Sequence, residues 1–183
     1  MSRSQIMYFA MPVIVLFTAL LQTTIAGRLI IHGVKPDLVL VVVVIATLIY
    51  GGPGGLLWAF LGGIGLDLFS GGPFGASSLA LMFAIVVAAL GHRVLSRYNI
   101  LVPLGATSLG TLIYGLVYIA LISALRTAGQ LPLLAAYEIP QHYVDLWPTL
   151  QRIIIPAMIY NTTLVLFLVP LLNRVPEQQG VAL

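Results

Sequence analysis

The chain has 183 residues, 60% hydrophobic and 7% charged, against about 25% charged in a soluble domain, so no soluble core of this size could enclose its apolar surface. Its net charge of +3 comes from basic residues scattered singly between Arg3 and Arg174, which excludes a nucleic-acid face and a polybasic lipid patch. Cysteine is absent, so disulfides, thiolate chemistry and Cys metal sites are excluded. What remains is an integral membrane protein, read as one polytopic domain over residues 1–183.

A spanning helix needs about 20 apolar residues. The first candidate span, residues 6–27, lies between Arg3 and Arg28. It is too long for a signal-peptide core and no small-residue cleavage site closes it, so it reads as a retained helix. The second, residues 37–50, opens at Asp37 just after Pro36, where an acid suits an N-cap. It is short, rising only about 21 Å.

The third span, residues 54–70, is also short and rich in glycine. An alternative reading folds spans two and three into one re-entrant hairpin, leaving four full spans. Gly51, Gly55, Ala59 and Gly63 recur every four residues, with Gly62 and Gly65 widening the face. That ladder lets two backbones approach closely. The neighbour is either another helix of this chain, which we prefer, or a partner protein.

Near the outer end of the third span lies Asp67, a lone carboxylate in an apolar segment. A charge at membrane depth costs a few kcal/mol on insertion scales and needs protein, water or a partner beside it. One reading is a proton relay, ion ligand or partner contact. The other is a cap: the turn Ser70-Gly-Gly-Pro73-Phe-Gly75 brings the free amides of Gly75, Ala76, Ser77 and Ser78 toward it. The capping reading is preferred, because a relay needs further acids or histidines at the same depth.

Spans four to six cover residues 74–95, 100–125 and 153–172, leaving 126–152 as an external segment. In a six-span layout the lysines and arginines divide four and four between the two sides and decide nothing; the tight Arg93–Arg97 cluster after span four and the acidic, aromatic composition of 126–152 favour cytoplasmic termini. Tyr137, Tyr143 and Trp147, among Glu138, His142 and Asp145, have the composition of an interfacial belt. Residues 141–151 fit an amphipathic surface turn leading into the last helix. His32, His92 and His142 are too scattered for a metal site. Asn161, Thr162 and Thr163 interrupt the last span and predict interhelical hydrogen bonds. Pro103, Pro156 and Pro170 read as kinks or helix ends. No nucleophile–base–acid set is present, and the run from Gly51 to Gly55 lacks the lysine and hydroxyl of a phosphate loop. Neither an enzyme nor a cofactor is expected.

Two segments carry a resemblance. One is Lys35-Pro36-Asp37-Leu38, opening a very apolar short helix. The other is the glycine-rich run from Gly54 through Asp67 to Gly75. Together they resemble the MreD family, rod-shape-determining membrane proteins of bacteria. That family has a proline–acid start to its second span, a glycine-rich third span ending in an acid, and a serine-glycine-proline-glycine turn. The matching positions here are Pro36, Asp37, Gly55, Gly62, Asp67, Ser70, Pro73 and Gly75. The likeness covers residues 35–80; elsewhere it rests on length and the six-span layout, and the segment 126–152 has no counterpart in the pattern.

The resemblance implies a non-enzymatic scaffold of the cell-wall elongation complex in the bacterial cytoplasmic membrane. Such a protein binds MreC and works beside MreB, RodA and a class B penicillin-binding protein in peptidoglycan synthesis. The family is also similar in fold to the substrate-binding subunits of energy-coupling-factor vitamin transporters, which supplies the alternative function. In that case Trp58, Tyr114, Tyr118, Tyr160 and Asn161 would line the ligand cavity, a thin set without a second charge.

Overall fold

The computed structural model describes residues 3–24, 34–94, 100–129 and 145–172. The architecture is all-α: α1 (Arg3–Thr24), α2 (Leu38–Tyr50), α3 (Gly52–Ser70), α4 (Ala76–Val94), α5 (Leu101–Gly129), α6 (Leu146–Thr149) and α7 (Ile155–Leu172). A π turn over Leu150–Ile154 joins α6 to α7 without a break in helical backbone. The described residues therefore form six helical rods. Three are long and apolar enough to cross a membrane: Gly52–Ser70, Leu101–Thr127 and Leu146–Leu168. The apolar stretches Tyr8–Thr24, Leu38–Tyr50 and Ala76–Leu90 are shorter.

The hub is α2. Its sequence LVLVVVVIATLIY has no polar face, and a helix hydrophobic all round must be covered all round. It packs against α1, α3, α4, α5 and α7, and eight of its thirteen residues are buried. Its thirteen residues are thus enclosed by protein, which frees its length from bilayer thickness. The rods around it show the opposite pattern. Phe9 and Phe17 on α1, Phe60 on α3, Phe83 on α4, Leu109 on α5 and Phe167 on α7 are all exposed. A soluble monomer does not spread large apolar side chains over every outer helix; a lipid-facing bundle does.

The α2–α3 joint is Gly51 alone, at φ 90°, a conformation that favours glycine. Pro53 sits in the first turn of α3, where a missing amide hydrogen does no harm. The two helices fold back as a tight antiparallel hairpin, with Gly55 against Thr47 and Gly62 against Val39 and α1's Val15. Ala59 is fully buried, and Gly63 abuts the backbone of Ser77 and Ser78 in α4. The small-residue ladder is therefore occupied by this chain's own helices from Gly55 to Gly63. Gly51 belongs to the connector.

Two boundaries differ from the sequence expectation. The last helix begins at Leu146 rather than 153, and α5 continues to Gly129. Polar Gln151 and Arg152 end the apolar run without ending the helix, and Pro148 lies in a first turn that tolerates it. The stretch between the last two rods is correspondingly shorter than the expected 126–152. Tyr137, Glu138, His142 and Tyr143 lie outside the described residues, as do His32, the side chain of His92, and Arg97. Trp147 is exposed on α6. Pro103 lies in the first turn of α5. Pro156 explains the π turn: it cannot donate to Arg152, and the Ile155 amide donates instead to the carbonyl of Leu150, one residue further back than in an α-helix.

Candidate functional site

Asp67 lies near the C-terminus of α3 and is 3% exposed. Its Oδ2 accepts the Gly75 amide at 2.7 Å, and both oxygens share the Ser77 amide at 3.3 Å. Helix α4 opens at Ala76, so the Ser77 amide is one of the first-turn donors that no helical carbonyl reaches. The positive end of α4 also favours the carboxylate charge. The turn is set by Gly71 at φ 69° and Gly75 at φ 89°, and the Gly71 amide closes α3 on the carbonyl of Asp67 at 3.1 Å. Ser78 Oγ donates to the carbonyl of Phe60 at 3.0 Å, a second stitch between α3 and α4. Asp67 thus clasps two helices across the five-residue turn from Gly71 to Gly75.

A second polar cluster lies at the start of α2. Asp37 Oδ1 accepts the Leu40 amide at 3.1 Å, which caps the helix. The same oxygen accepts Gln22 Nε2 at 3.2 Å, while Gln22 Oε1 accepts the Val39 amide at 2.8 Å. Asn161 Oδ1 accepts the Asp37 amide at 2.9 Å, and its Nδ2 donates to Thr111 Oγ1 at 3.2 Å. Four helices, α1, α2, α5 and α7, are tied at one point. Asn161 is fully buried, so Asn161→Leu leaves the Asp37 amide without its acceptor, while the Thr111 hydroxyl loses one donor and keeps its own bond to the Thr107 carbonyl. We expect it to destabilise by about 1–3 kcal/mol, read as a lowered unfolding midpoint of the detergent-solubilised protein; an unchanged midpoint would show that the tie is not needed. Thr162 pairs with Ser108 of α5 at 2.8 Å. Thr163 bonds within its own helix, to Ile159, so only two of the three expected interhelical contacts form.

Between these clusters opens a cavity of about 670 Å³. Its wall runs through Gln22 of α1, Lys35 to Asp37, the turn from Ser70 to Pro73, Ser77 of α4, Thr111, Tyr114 and Tyr118 of α5, and Ile153, Ile154 and Asn161 of the last helix. The rings of Tyr114 and Tyr118 stack at 5.9 Å and 25°. Ile154, within the π turn, fills the space above Gly115, so the irregular stretch of the last helix forms part of the wall.

Of the residues singled out in the sequence, Pro36, Asp37, Ser70 and Pro73 line this cavity. Asp67 and Gly75 hold the turn behind it. Gly55, Ala59, Gly62 and Gly63 lie in helix packing away from it. Tyr114, Tyr118 and Asn161 line it, but Trp58 and Tyr160 do not. Trp58 is fully buried toward the other end of α3, between Tyr8 at 5.1 Å and Tyr50 at 5.5 Å. The expectation of a site without a second charge is also corrected, because Lys35 and Asp37 both reach the cavity. Gln22 and Thr111 were not foreseen. A glutamine inside an otherwise apolar span was the available signal for the first; threonine is too common in such helices to mark the second.

Fold and site together define a class: an all-α protein of six helices, three of them long and apolar enough to cross a membrane, with a polar-floored cavity at one end. No family model, curated protein or solved structure matches the chain.

Proposed function

We propose that this protein is a non-enzymatic membrane scaffold of the MreD kind, with six spans and both termini cytoplasmic, acting in the cell-wall elongation complex of the bacterial inner membrane. Its principal partner is MreC, with MreB, RodA and a class B penicillin-binding protein in the same assembly. One observation carries the reading. The two segments that bear the family resemblance, far apart in sequence, meet at one end of the bundle, where Pro36, Asp37, Ser70 and Pro73 share one cavity wall and Asp67 holds Gly75. A motif set that converges in space supports a common structural purpose. Copurification of the tagged chain with MreC from native membranes in mild detergent is the expected result. Reproducible absence of MreC would overturn the reading.

A second reading, a small-molecule-binding subunit of a transporter, is favoured by the cavity itself. Its volume of about 670 Å³ falls within the roughly 300–1,000 Å³ of ligand pockets. A thermal-shift screen against vitamins tests it, since high occupancy stabilises by several kcal/mol. Silence across the whole panel would remove it.

A further inference from the structure

Asp37 has more to offer than its cap. Both of its side-chain hydrogen bonds, from Leu40 and Gln22, fall on Oδ1. Among the described residues none reaches Oδ2, although the residue lines the cavity. Burial works against the charge on Asp37, while the Leu40 amide, the Gln22 amide and Lys35 work in its favour, and the geometry leaves one acceptor oxygen in use and one open.

The surroundings select the sign and shape of what it would accept. Tyr114 lies within electrostatic reach of both Asp37 and Asp67, so two carboxylates act on the cavity wall. The opposing cation, Lys35, is exposed at the cavity mouth and acts on Asp37 through space as its weakest electrostatic influence. An anion is therefore disfavoured. A bare metal ion is a poor fit to about 670 Å³ with one open carboxylate oxygen, since hard cations gather six or more oxygens. The stacked Tyr114–Tyr118 pair provides aromatic surface that attracts cations, and Ile119, Ile122 and Ile153 provide apolar wall for an organic body.

We propose that the cavity binds a primary amine, its ammonium group donating to Asp37 Oδ2 beside the Tyr114–Tyr118 pair and its body lying against the isoleucines. The ammonium comes from a free organic amine or from an aminophospholipid headgroup. The proposal rests on the second reading and narrows it to one ligand chemistry.

The test uses the full chain in nanodiscs of phosphatidylglycerol, with 2-phenylethylamine as probe and 2-phenylethanol as its neutral counterpart. The amine raises the unfolding midpoint and the alcohol does not. Asp37→Asn keeps the cap oxygen but removes the charge, and binds the amine about tenfold more weakly. Lys35→Gln removes the competing cation and binds it a few-fold more tightly, a gain that a merely structural role of Asp37 would not produce. Discs containing phosphatidylethanolamine separate the sources. If that lipid raises the midpoint and blocks the soluble amine, the occupant is a headgroup; if the soluble amine still binds, it is a free amine. Equal responses to amine and alcohol in both disc types would overturn the proposal, as would undiminished amine binding by a folded Asp37→Asn. Vitamin binding confined to neutral compounds would overturn it too, while leaving the second reading in place.

Discussion

Gly63→Ala is expected to lower the unfolding midpoint sharply and reduce the yield of folded protein. A Cβ at this position would lie 2.7 Å from the carbonyl carbon of Ser77 and closer still to the backbone of Ser78. Those atoms belong to the first turn of α4, which is fixed by the Asp67 clasp and by the Ser78 hydroxyl bond to Phe60. No rotamer change relieves the clash; α3 and α4 must separate. Forcing methylenes into a packed interior costs about 1–3 kcal/mol and sometimes more. Gly55→Ala meets Thr47, whose Cβ at 2.9 Å stays in place when the side chain turns, so α2 and α3 must also part slightly; the effect should still be smaller, because no backbone atom is approached. Gly105→Ala is the control, because nothing lies within 4 Å of its Cβ. There alanine's helix propensity, about 0.8–1 kcal/mol better than glycine's, should leave stability unchanged or improved. A Gly63→Ala protein that unfolds at the same temperature as Gly105→Ala would mean that the close α3–α4 approach is wrong.

Asp67→Leu is the second large effect. It leaves the amides of Gly75 and Ser77 without their acceptor, at about 1–3 kcal/mol for each buried donor stranded, and it removes the charge that faces the α4 terminus. Asp67→Asn keeps one acceptor oxygen and should retain most of the stability and, on the scaffold function proposed above, most of the MreC binding. The pair of variants, compared by thermal unfolding and by MreC copurification, separates two roles. Loss of stability with leucine and its retention with asparagine fits a clasp. If leucine leaves stability intact and abolishes copurification, Asp67 is a recognition residue instead.

The sequence carried the membrane character, the number of helical rods and the Asp67 turn, because each rests on local signals: apolar run length, glycine at turns, and an acid eight residues before a free amide. It also carried the Asp37 cap. It did not carry the last helix's true start, since Gln151 and Arg152 interrupt hydropathy without interrupting backbone hydrogen bonds. Nor did it distinguish α2 as the buried hub from a thin lipid-facing span; both read as an apolar run, and only the neighbours tell them apart. The cavity was least legible of all. Its wall draws single residues from nearly every helix, such as Gln22, Thr111 and Asn161, and no spacing along the chain reveals that they meet. Trp58 shows the converse error, an aromatic with ligand-like chemistry that packs against Tyr8 and Tyr50 instead.

The position of the Asp67 donors has a consequence for biogenesis. Synthesis proceeds from the N-terminus, so α3 is complete before Gly75 and Ser77 leave the ribosome. Released alone into lipid, α3 would carry an unsolvated carboxylate, and the α4 terminus would later arrive with unmatched amides. Entry of α3 and α4 as a single hairpin avoids both penalties at once. Such paired entry predicts that a nascent chain stalled with α3 outside the ribosome and Gly75 still in the exit tunnel leaves α3 accessible to water-soluble probes.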